Sequence, residues 1–93
     1  MNPYPRFHVT VRGRRTTVSL DPIVVDLLAI ALEQTPGSAD AHSAIRLWLD
    51  NSLAEWVAFD PELPVSRQAT FLAVRRIADP VLLHFLDRHQ APD

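Results

Sequence analysis

The sequence predicts a small, mostly α domain that opens on a short N-terminal β-strand or hairpin and carries two extra helices at its C-terminal end. Three observations predict it. Residues 7–20 alternate apolar and polar with a period of two. The pairs Asp21-Pro22 and Asp79-Pro80 each stand before an apolar run of helical period. Breaker-rich stretches at 35–38 and 59–66 cut the remainder into pieces of helix length.

The first element is read from FHVTVRGRRTTVSL. Phe7, Val9 and Val11, then Thr16, Val18 and Leu20, fall on one side of an extended chain, with polar residues between them. Gly13 interrupts the alternation. A tight turn at Gly13-Arg14 would set Val11 opposite Thr16, Val9 opposite Val18 and Phe7 opposite Leu20. That register also sets Arg12 against Arg15, which is unfavourable unless an anion is near. A straight arm before Arg15 is the competing expectation, and residues 7–13 fit either.

Asp21 is a good N-cap and Pro22 is preorganised for the first helical turn, so a helix is expected from there to about Gln34. Thr35-Pro36-Gly37-Ser38 ends it. A second helix is expected from an Asp40 cap to about Val57, with Ala44, Ile45, Trp48, Leu49, Leu53 and Trp56 as its apolar stripe. After a Pro-containing linker, Ser66 is the expected cap of a third helix, Arg67 to Ala78. Asp79-Pro80 opens a fourth, to about His89. The division is 1–58 for an arm, strand and two helices, and 59–93 for a helical extension.

Charge is unevenly placed. Residues 1–20 hold four arginines and no acid, +4, whereas 21–93 hold five arginines against eleven acids, −6. A basic start on an acidic body points to one local polyanion contact. The 47% apolar composition excludes a disordered chain, and no run approaches a membrane span. There is no cysteine, hence no disulfide or thiolate metal site, which fits a cytoplasmic location. His8, His42, His84 and His89 are scattered and not at ligand spacing, so no metal or other cofactor is expected. With Gly13 and Gly37 as its two glycines the chain has no phosphate loop, and no nucleophile motif stands out; no catalysed reaction is expected.

RRTTVSL, DPIVVDLLAIAL, PGSADAH and SAIRLWLDNSL, over about residues 14–57, resemble in order and spacing the ribbon-helix-helix family of DNA-binding repressors. The resemblance implies a homodimer whose two strands pair across subunits and enter the major groove of an operator. Carried over by alternation, Arg15, Thr17 and Ser19 would contact bases. Arg12 and Arg14, with Asp40, Ala41, His42 and Ser43 at the start of the second helix, would contact the DNA backbone. Thr16, Val18, Leu20, Val24, Leu28, Ile45, Trp48 and Leu49 would form the dimer core. The family includes antitoxins, so a toxin protein is one implied partner. The function expected is sequence-specific repression, and the alternative is a protein-interaction module that docks a partner without reading DNA.

The first helix is apolar on nearly every side. Ile23, Leu27 and Ile30 exceed what a dimer core needs, and a helix apolar all round should be buried all round. Phe71, Leu72, Val74 and Ile77 of the third helix, with Leu82, Phe85 and Leu86 of the fourth, are expected to cover them; a partner protein is the other candidate.

Overall fold

Alternation in the first twenty residues produces two strands, β1 (Arg6–Val11) and β2 (Arg14–Ser19), paired antiparallel within the chain. The computed structural model describes residues 4–78. The turn falls one residue earlier than Gly13-Arg14. Arg12 (φ 54°) and Gly13 (φ 80°) are its two central residues, both left-handed, as a type I′ hairpin turn requires. The register therefore differs from expectation: Phe7 faces Val18, Val9 faces Thr16, and Val11 faces Arg14. Moving a two-residue turn by one position shifts the pairing by two, so each side chain keeps its face. The observed register also sets Thr10, rather than Arg12, opposite Arg15, and so removes the expected repulsion between arginines.

Helix α1 (Pro22–Ala31) starts as read, with Asp21 Oδ1 accepting the Ile23 N–H at 2.8 Å. It ends three residues before Gln34. Glu33 adopts φ 61°, its N–H bonds to Ile30 O, and the Gln34 N–H bonds to Ala29 O at 2.8 Å. These two bonds form a Schellman closure with glutamate at the position glycine usually fills. Helix α2 (Ala39–Glu55) is capped by Ser38, whose Oγ accepts the Ala41 N–H at 3.0 Å. Asp40, expected as the cap, lies inside the first turn, where its charge still favours the helix dipole. The helix stops at Glu55 because Trp56 is already extended.

Helix α3 (Val65–Ile77) begins two residues before Arg67, after Pro64 and without a side-chain cap. Ser66 is not that cap: its Oγ accepts the Ser19 N–H at 2.9 Å. At the other end Arg76 Nη2 donates to Ala31 O at 2.9 Å. α3 thus runs alongside α1 in the same direction. The expected fourth helix, with Leu82, Phe85, Leu86, His84 and His89, lies outside the described residues.

The helices cover one face of the hairpin. Phe7, Val9, Val11, Val18 and Leu20 pack with Leu28 and Ala29 of α1, with the i, i+4 stripe Ala41, Ile45, Leu49 and Leu53 of α2, and with Ala69 and Ala73 of α3. A lone hairpin is marginal in water. Burying Phe7, Val18 and Leu20 on the helices is worth about 1.5–3 kcal/mol each. Trp48 and Trp56 are half-buried against this core. Among the described residues no helix is long and apolar enough to cross a membrane.

Two expectations about burial change. Of the residues assigned to a dimer core, Val18, Leu20, Leu28, Ile45 and Leu49 are fully buried within one chain, and Thr16, Val24 and Trp48 are half-buried. β1 supplies the partner that β2 would otherwise seek in a second subunit. Conversely, α3 does not cover the surplus face of α1: Ile23, Leu27 and Ile30 remain 70, 45 and 60% exposed.

Candidate nucleic-acid interface

Packing one face of the hairpin against helices turns the other to solvent. That outer face carries Arg6, His8 and Thr10 from β1 and Ser19, Thr17 and Arg15 opposite them on β2. Five of the six are exposed and Ser19 is half-buried. None is acidic. His8 Nδ1 lies 3.2 Å from Thr17 Oγ1, which ties the two strands together across the face. Arg15, Thr17 and Ser19 are thus brought onto one surface. Arg6, His8 and Thr10 belong to it as well. Their signal in the sequence was the alternation of Phe7, Val9 and Val11, which turns residues 6, 8 and 10 outward once the segment is accepted as a strand.

The ends of the ribbon differ. At the tip, Arg14 is exposed on the helix-facing side, and Arg12 is held in place. Its Nη2 donates to Trp56 O at 3.3 Å and its guanidinium lies 5.4 Å from the centre of the Phe59 ring. This cation–π contact and the bond to the Trp56 carbonyl, at the C-cap of α2, anchor the Arg12 side chain at the tip. At the other end stands the start of α2. The His42 ring stacks on Phe7 at 4.5 Å, and its Nε2 lies 3.3 Å from Arg6 O. Five residue steps of strand separate the ends, about 17 Å.

Not every expected backbone contact is available. Ala41 is buried and its N–H is taken by Ser38, so neither its side chain nor its amide is free for a phosphate. Asp40 and Ser43 are exposed beside His42, and the Asp40 carboxylate opposes an anion there. A second carboxylate, Asp50, borders the outer edge of β1: its Oδ1 accepts the Thr10 N–H at 2.8 Å. Its Oδ2 pairs with Arg46 at 3.2 Å. Among the described residues no carboxylate pairs with Arg14 or Arg15.

Among the described residues no group of His, Asp or Glu is placed to hold a metal ion. Comparison with protein-family models, curated proteins and solved structures finds no match for this chain.

Proposed function

We propose that the protein binds double-stranded DNA through the outer face of its hairpin and acts as a dimeric, sequence-specific repressor. The observation that carries this is the acid-free outer face formed by Arg6, His8, Thr10, Arg15, Thr17 and Ser19. A two-stranded ribbon fits the major groove, where arginine grips guanine with two hydrogen bonds and hydroxyls serve either base type. In this reading both strands of the ribbon come from one chain. Arg6 and Arg14 flank it as phosphate contacts, and an operator occupied in this way is closed to transcription. An antitoxin role, with a toxin protein held elsewhere on the chain, belongs to the same proposal.

A second reading is favoured by the stripe Ile23, Leu27 and Ile30. These residues recur at helical spacing on α1 and are open to solvent, as expected of a protein-docking face. Fluorescence anisotropy with mixed-sequence and selected duplexes separates the two. DNA binding through the ribbon predicts that log K falls with log salt at a slope of about −2 to −4 per chain. Absence of salt-dependent binding at low ionic strength would discard the DNA reading and leave the docking one.

A further inference from the structure

Beside the hairpin tip an open cleft of about 240 Å³ lies between the strands and the connection from α2 to α3. Arg12, Arg14 and Arg15 line it on the hairpin side, and Phe59, Pro61 and Val65 on the other. Among the described residues no acidic side chain lines it, and none pairs with Arg12, Arg14 or Arg15. Arg12, Arg14 and Arg15 therefore give the cleft a net positive border that attracts an anion. The ladder adds a fourth donor. With Val11 facing Arg14 next to the turn, the N–H groups of Arg15, Thr17 and Ser19 point away from β1. Ser66 accepts that of Ser19, which leaves the Arg15 N–H on the open edge beside the cleft.

We propose that this cleft is a binding site for a phosphoryl group carried on a planar or apolar body, a phosphate monoester or the phosphate of a nucleotide. Guanidinium forks match phosphate oxygens in pairs, and a net positive border suits a dianion better than the single charge of a carboxylate. Arg12 is already oriented by Trp56 O and the Phe59 ring, so less freedom is lost when the anion binds. Phe59, Pro61 and Val65 give the organic part an apolar wall. The site does not require that the ribbon bind DNA.

The test is an NMR titration of the full chain with phenyl phosphate, inorganic phosphate and benzoate. Saturable shifts confined to Arg12, Arg14, Arg15, Phe59 and Val65 are expected with phenyl phosphate. Inorganic phosphate should bind at the same residues more weakly for want of the ring, and benzoate at least about fivefold more weakly for want of charge. The R14Q/R15Q double variant, altered at two exposed positions, should keep its melting temperature and lose about tenfold or more in affinity. Shifts spread equally over Arg46 and Arg67, or unchanged affinity in the double variant, would overturn the site. A short duplex then identifies the source of the phosphate. If phenyl phosphate displaces the duplex, the cleft takes a backbone phosphate of DNA. If the two bind together, or the duplex does not bind, it takes a free phosphate ester.

Discussion

Gln68 is the buried polar side chain among the described residues, 5% exposed, and it secures the turn that forms one wall of the cleft. Its Oε1 accepts the Asp60 N–H at 2.9 Å, and its Nε2 donates to Asp60 O at 2.8 Å and to Leu63 O at 3.2 Å. Each bond is worth about 0.5–1.5 kcal/mol net. Asp60 and Leu63 are partly open to water, which recovers some of the loss, so Gln68→Ala should destabilise the fold by about 2–3 kcal/mol. For a domain of this size that is a fall of roughly 10–20 °C in melting temperature. Urea unfolding followed by tryptophan fluorescence measures it, since Trp56 stacks on Phe71 of α3 with ring centres 5.9 Å apart. Gln68→Glu separates bonding from packing. It keeps the volume but puts a carboxylate against two carbonyl oxygens, so it should do at least as much damage as alanine. A Gln68→Glu protein of near wild-type stability would refute the reasoning, because it would show that the site needs bulk and not the amide.

The remaining expectations concern other elements. Glu33→Gly should raise stability by roughly 0.5–1 kcal/mol in the same urea assay, since glycine holds φ 61° without the Cβ penalty. Arg15→Ala should weaken DNA binding by about 1–3 kcal/mol and relax sequence preference, whereas Arg14→Ala should weaken all duplexes alike; equal behaviour on selected and random duplexes would contradict the assignment of the two faces. If α1 carries the dimer contact, Leu27→Asp, at a position 45% exposed, should shift sedimentation towards the monomer and make the unfolding midpoint independent of protein concentration. An unaltered dimer would remove α1 from the interface.

Side-chain parity was legible in the sequence and position along the chain was less so. Period-two alternation assigns Phe7, Val9, Val11 and Val18 to the core and Arg15 and Thr17 to solvent whichever turn is used, because the candidate turns differ by an even shift in register. The turn itself was ambiguous because Gly13 suits the first site of one hairpin type and the second of another. What separates them is the cost of Arg12 opposite Arg15, and the hold that Trp56 O and Phe59 place on Arg12 from some forty residues away. The start of α2 lies two residues before the expected one because two capping residues compete there, Ser38 and Asp40. At Ser66 the hydroxyl is recruited by a strand edge instead. The end of α1 was hidden because a left-handed glutamate leaves no mark in composition. Gln68 gave no signal either: its partners are backbone atoms of a turn whose shape the sequence does not reveal.

Closure of the hairpin within one chain is what removes the expected dimer core. A lone strand with an apolar face must find a second strand, and in the ribbon-helix-helix arrangement it finds a copy of itself. Here β1 supplies that strand, so Val18 and Leu20 are buried without a second chain. The free edge of β2 is partly closed as well, where the Ser19 N–H meets Ser66. Any dimer would then associate through another surface, for which the stripe Ile23, Leu27 and Ile30 is the apolar candidate on α1. Such a dimer carries two complete ribbons instead of sharing one. On DNA the two would enter successive major grooves, with contacted centres about 10 base pairs apart. A dimer that shares one ribbon would protect a single groove. Hydroxyl-radical footprinting distinguishes these outcomes: two protected grooves one helical turn apart would support in-chain ribbons acting as a pair. A single central groove bound by two chains would mean that β2 leaves β1 to pair across the dimer.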